Sequence, residues 1–333
     1  MHNKTATFIA VLLPFFSLTG SAGESPVFVY QDEVAHIKLE NFDDLFVGNP
    51  VDIEKNLQAL LPQAEALTDK SIYLQILSQI ALTQALQKNF QAAHETLDAA
   101  EGLLVPEYTL ARVRILCERG RVFMQSGNNL AARTCFEQSF ELSSRHQFDA
   151  HTINAAHMIP FVIVPVEEKI KWNERAIEMA EGSQLAKARL WKGSLYNNLG
   201  QAYLESKQYE KALPVFKKAQ AFREEEGYIP NIRVAKWAVA RTLRFLNSTE
   251  EALDILLALN EEYDVLIKSG KLDMPEEMLL YAHGLLQEEI AEIYSTKAKT
   301  FSGRAYEALS QNEWIKKLDP KKLERLKQLK ESD

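Results

Sequence analysis

Leu195-Tyr-Asn-Asn-Leu-Gly-Gln-Ala-Tyr203, followed by Gln208-Tyr-Glu-Lys-Ala-Leu-Pro-Val-Phe216 and then Ala219, decides the fold of this chain. Each run repeats apolar residues at intervals of three and four, the spacing that stacks side chains on one face of an α-helix. Gly200 in the first run and Ala212 in the second stand twelve residues apart. Small residues at those two points let a pair of antiparallel helices touch, and any larger side chain would force them apart. Leu199, Tyr203, Phe216 and Ala219 share the facing stripe.

The pair of contact points recurs. Ala81, Gly120, Gly200 and Ala240 are each followed twelve residues later by a small residue: Ala93, Ala132, Ala212 and Ala252. Four residues beyond come Leu97, Phe136, Phe216 and Leu256, and three more give Ala100, Ser139, Ala219 and Leu259. Two degenerate frames complete the series. His157 and Lys169 keep the spacing without the small residues, in a unit spanning about 150–183 that Pro160 and Pro165 disturb. Ala291, Tyr294, Ala305 and Leu309 keep it with two extra residues in the turn.

These residues resemble the tetratricopeptide repeat, with its Trp/Tyr-x-x-Leu-Gly-x-x-Tyr first helix and Ala-x-x-x-Phe-x-x-Ala second helix. Successive first-helix anchors at 81, 120, 157, 200, 240 and 291 are spaced wider than the basic repeat of about 34 residues. The spacing matches the subgroup whose repeats run near forty. The resemblance implies an all-α, right-handed α-solenoid of about six helix hairpins over residues 49–318.

Composition agrees with that fold class. Gly (13) and Pro (11) are scarce in 333 residues, and the text is dominated by straight-chain helix formers. A solenoid buries the hydrophobic face of each repeat against its neighbours and needs capping elements at both ends. Asn49-Pro-Val-Asp52 leading into Ile53–Leu67 reads as a first cap. Residues 319–333, with Leu323, Leu326 and Leu329 on one stripe, read as a final amphipathic capping helix.

Residues 1–22 read as a signal peptide: Lys4, an uncharged apolar run from Ala6 to Leu18, then Gly20-Ser21-Ala22. An uncleaved anchor and a buried N-terminal helix are the other readings. Export to the periplasm or the secreted space is the expectation, with no stable membrane insertion after cleavage. Residues 23–48 alternate in a β-like way and read as an extended N-terminal arm. Cys117 and Cys135 are too few for a disulfide framework and read as two buried thiols. The formal charge of −8 speaks against nucleic acid and anionic lipid as partners.

No constellation for catalysis, cofactor or metal stands out. Glycines form no phosphate-cradling loop, and neither His-Glu-x-x-His nor Cys-x-x-Cys occurs. His146, His151 and His157 are spaced by five and six, which does not bring them to one helical face.

In the tetratricopeptide fold the first helices line the concave face, at positions three and six before the small anchor and one, four and five after it. The resemblance therefore implies a groove holding Arg114, Arg121, Asn154, Asn197, Gln201, Trp237, Arg241 and Arg244. Only one acidic residue, Glu205, falls on these offsets in units two to five. Arginine forks and amides suit carboxylates and peptide backbones, and Trp237 offers an apolar anchor. The expected function is a non-catalytic scaffold holding a protein or peptide segment, acidic in character. A ligand-sensing regulator that changes superhelix pitch, an enzyme built on the degenerate third unit, and self-association through an uncovered end are the competing readings.

Overall fold

The structure, a computed structural model, describes residues 49–294 and 298–331, and every regular element among them is helical. The expected signal segment and N-terminal arm lie outside the described residues. The chain divides into two compact units, one ending at Ala202 and one beginning at Tyr203.

The N-terminal unit opens with α1 (Pro50–Glu65), started by Pro50 and by the Asn49 side chain, which accepts from the backbone of Val51 and Asp52. Its Ile53 and Leu57 pack on Ile72, Ile76 and Ile80 of α2 (Ser71–Leu86). Hairpins follow: α2 with α3 (Phe90–Gly102), α4 (Thr109–Gln125) with α5 (Asn129–Arg145), and α6 (Asp149–Met158) with α7 (Val166–Gly182). The short α8 (Ala186–Leu190) leads into α9 (Lys192–Glu205), within which the division falls. Helix α2 packs on both α3 and α4, so the first helices of adjacent hairpins touch each other as well as their own partners.

The C-terminal unit continues with α10 (Tyr209–Glu226), then α11 (Ile229–Phe245) paired with α12 (Thr249–Ser269) and α13 (Glu276–Ile293) paired with α14 (Ala298–Ser310). Two helices close it, α15 (Glu313–Leu318) and α16 (Pro320–Glu331), and Leu326 of α16 is fully buried in a helix that packs on α14.

The twelve-residue spacing works through the small-against-large contact it implies. A Cβ added to Gly120 would lie 2.5 Å from the Phe136 ring, which is fully buried. The turns within hairpins are equally regular. Lys88 (φ 63°), Gly127 (φ 88°), Lys207 (φ 60°) and Asn247 (φ 61°) each stand seven residues after the anchor in left-handed backbone. The next amide closes the turn by reaching back five residues, as in Asn89 N to Gln84 O (2.9 Å) and Ser248 N to Leu243 O (2.9 Å).

Two frames depart from the pattern. In the third hairpin Pro160 lies in a 3-10 turn (Ile159–Phe161), which cuts α6 to 10 residues. His157 occupies the small-residue position there, and Asn173 stands where the other frames place Phe or Leu. Both are 1% exposed, and the His157 ring packs against those of Phe161 and Trp191.

The sixth hairpin corrects the sequence reading. Its close contact is made by Gly284, whose added Cβ would lie 2.7 Å from Leu309, and not by Ala291. Measured from Ala240, the last interval is then 44 residues rather than 51, in line with the others.

Candidate functional site

Polar side chains are buried unevenly. Second helices bury only Ser139, Ser143, Asn173, Arg223 and Ser302 among the described residues, whereas each first helix buries three or more polar or charged groups. Burying a polar group is costly unless it is bonded, so this asymmetry marks the first helices as more than packing elements.

In the N-terminal unit the sequence-derived positions Arg114, Arg121 and Asn154 converge. Arg121 donates from Nη1 to both carboxylate oxygens of Glu118 (2.8 Å each) and from Nη2 to Oδ1 of Asn154 (2.7 Å). Asn154 Nδ2 in turn lies 3.4 Å from Cys117 Sγ. Gln79, on the preceding first helix, donates to Glu118 at 3.2 Å. Burial lowers Arg114 to about 10, opposed by the Glu118 carboxylate. His151 is pushed down to about 3 by burial and by the Arg114 and Arg121 guanidiniums, so it is neutral at physiological pH.

Asn197 and Gln201 of α9 are 7% and 8% exposed. Gln201 Nε2 is enclosed without a hydrogen-bond partner, and so are both amide atoms of Asn198, a neighbour that the offset rule passes over.

In the C-terminal unit Trp237, Arg241 and Arg244 gather on α11 around one carboxylate from α13. Arg244 Nε donates to Glu289 Oε2 at 2.7 Å, while Arg241 Nε lies 3.2 Å from Glu289 Oε1, ion-pair distance without hydrogen-bond alignment. The Arg241 guanidinium stands 5.2 Å from the Trp237 ring centre and 5.7 Å from that of Phe245. Arg244 lies 4.4 Å from the Phe245 ring, which stacks on Tyr209 at 4.9 Å.

The groove offsets of units two to five hold only Glu205, but acids outside those positions meet the arginines. Glu118 and Glu289 supply the carboxylates that the arginines need, and sequence reasoning missed both. Glu118 stands two residues before its anchor, an offset left out of the groove rule, and so does Gln79, which bonds to it one repeat earlier. Glu289 stands five residues after Gly284, on a groove offset that the Ala291 frame concealed.

Among the described residues no group of three or more His, Cys, Asp or Glu side chains is placed to hold a metal, and no helix is long and apolar enough to cross a membrane. Both cysteines are free and buried, and burial raises the Cys117 thiol to about 12, far from a reactive thiolate.

The tetratricopeptide-repeat family profile matches residues 113–146 and 193–225. Those two stretches are tetratricopeptide repeats, and the described residues around them continue the same all-α hairpin pattern. Its fold is similar to that of a Pyrococcus horikoshii signal-transduction ATPase with a tetratricopeptide repeat sensor (TM-score 0.60, 15% identity). That alignment covers 88% of this chain and 45% of the other. The apo form of RapI aligns with TM-score 0.58 and 14% identity over 86% of this chain and 84% of its own. NprR in complex with its cognate peptide NprX aligns with TM-score 0.50 and 13% identity over 90% and 85%. No protein of curated function matches by sequence.

Proposed function

We propose that the chain is a non-catalytic interaction scaffold, acting in the cell envelope or the secreted space, that holds an extended protein or peptide segment of acidic character against its first helices. The observation that carries the reading is the buried polar face: guanidiniums and amides concentrated on one helix of each hairpin, several of them with donors still unused. Such groups suit carboxylates and the alternating donors and acceptors of an extended backbone. Peptide capture by NprR supports the choice of ligand class at the level of fold. The apolar run and small residues within Met1–Ala22 support the compartment.

Two experiments test this. Crosslinking in an exporting cell, compared between wild type and the Arg121→Glu/Arg241→Glu double variant, is expected to lose the captured partner in the variant. Unchanged capture by folded variant would sink the proposal. Fusing residues 1–30 to a reporter active only outside the cytoplasm is expected to yield activity, and a silent fusion overturns the assigned compartment.

A further inference from the structure

The N-terminal unit carries a cleft of about 500 Å³ between the second helices α3 and α5, floored by α4. The α4 residues that line it, Arg112, Ile115 and Leu116, stand roughly half a turn around that helix from Arg114, Cys117 and Arg121. The cleft therefore opens on the side turned away from the buried polar face. Its floor is aliphatic, made by Leu104, Ile115, Leu116 and Leu142, and no aromatic ring lines it. Glu101 on its wall is held by Arg119 (2.8 Å), which also takes Asp98 (2.8 Å). Arg112 and Arg145 are exposed, and neither makes an ion pair among the described residues; nor does Glu141, one turn before Arg145. Two uncommitted cations thus face one uncommitted acid. Helices α4 and α5 run antiparallel, so Arg112 near the start of one and Arg145 at the end of the other stand at the same end of the cleft.

We propose that this cleft binds a medium-chain aliphatic carboxylate, its chain on the leucine and isoleucine floor and its head between Arg112 and Arg145. The inference goes beyond the peptide-holding reading and does not rest on it. The volume falls in the range of small-molecule sites, about 300–1,000 Å³. A floor of branched aliphatic side chains without a ring gives an alkyl chain its contacts and offers an arene nothing to stack on. One negative charge neutralises the surplus at the arginine end, where a guanidinium presents the paired donors that a carboxylate accepts, while a cation would be repelled. From Gln138 to Arg145 the lining of α5 runs seven residues, about 10 Å at 1.5 Å per residue, which is room for one chain of medium length.

The full chain is titrated by calorimetry with hexanoate, octanoate, decanoate and dodecanoate, each below its micelle concentration, and with octanol and octylamine as uncharged and cationic controls. Saturation with decanoate is expected on the order of 0.1 mM. Each added methylene should tighten binding by about two- to fourfold as far as decanoate, and dodecanoate, longer than the cleft, should gain little more. Octanoate should bind more tightly than octanol, and octylamine most weakly. The Arg112→Gln/Arg145→Gln double variant, at two exposed positions, should bring octanoate down to the affinity of octanol. Glu141→Gln, which removes the like charge beside the head group, should tighten octanoate several-fold, a change that non-specific adhesion to apolar surface does not produce. Flotation with phosphatidylglycerol vesicles tests the other source of the same chemistry, a lipid held in a membrane, and no capture is expected.

No saturable binding of any of the acids overturns the site, and so does octylamine or octanol binding as tightly as octanoate. Undiminished octanoate affinity in the folded double arginine variant, or unchanged or weaker affinity in folded Glu141→Gln, overturns it equally. Capture by vesicles without binding of free acid would refute the free-acid ligand. If the double variant does not fold by circular dichroism, the ranking of octanoate, octanol and octylamine on wild type decides alone.

Discussion

At Gly120 two effects of opposite sign compete. Alanine in a helix interior is favoured over glycine by about 1 kcal/mol. Its Cβ would nevertheless lie 2.5 Å from a Phe136 ring that has no exposed surface into which to retreat. Overpacking a closed core costs about 1–3 kcal/mol, so Gly120→Ala should lower stability by about 1 kcal/mol in denaturant unfolding. Adding Phe136→Leu should recover part of that loss, and strict additivity of the two changes would refute the contact. His151 gives a pH prediction at the same scale. Its folded value of about 3 lies below the ordinary 6.5, so the unfolded chain binds more protons between those limits. Stability is then fully present above about pH 6.5 and falls as pH drops through that range. Wild type should lose about 1 kcal/mol more than His151→Asn between pH 7.5 and 5.5. Parallel pH profiles would show that the histidine does not carry the effect.

At the scale of the element, the turns repeat as faithfully as the helices. Lys88 and Gly127 occupy equivalent left-handed positions, with φ of 63° and 88°. A non-glycine residue there gives up roughly 1–2 kcal/mol, and glycine costs about 0.4–1 kcal/mol through the freedom it adds to the unfolded chain. Lys88→Gly should therefore stabilise slightly, by about 0.5 kcal/mol, while Gly127→Ala should destabilise by about 1 kcal/mol. Denaturation midpoints that move in the same direction for both would contradict the turn assignment. These elements were legible because contact between helices demands small residues at fixed spacing, and spacing survives in linear text. The sixth hairpin was misread because Gly284 and Ala291 are both small and stand two turns apart on one face of α13, so spacing alone cannot say which one meets Leu309. The site was legible in part for the same reason. Offsets from the anchors found Arg121, Asn154 and Arg241, but a pair such as Gln79 with Glu118 joins residues 39 apart and shows only once two first helices lie side by side.

For the whole molecule, the energetics follow from which helices touch. A chain of formal charge −8 keeps several arginines nearly enclosed on first helices, each arginine cluster holding its own carboxylate, so electrostatic balance is local rather than global. Packing is local too: α16 lies on α14, and α14 on α13. When repeats contact only their neighbours, stability is close to a sum of local terms, and damage at one end should stay near that end. Ending the chain at Ser310 tests this. The truncation removes α15 and α16, and with them the fully buried Leu326 and the lysine and arginine partners of Glu288, Glu292 and Glu307. Burial of one leucine is worth about 1.5–3 kcal/mol, comparable to the local stability of a terminal hairpin. Native-state hydrogen exchange should then show protection lost in α14 and reduced in α13, with α2 to α5 unchanged. Equal loss across both units would mean that the chain unfolds as a single cooperative body, and the nearest-neighbour account would have to be given up.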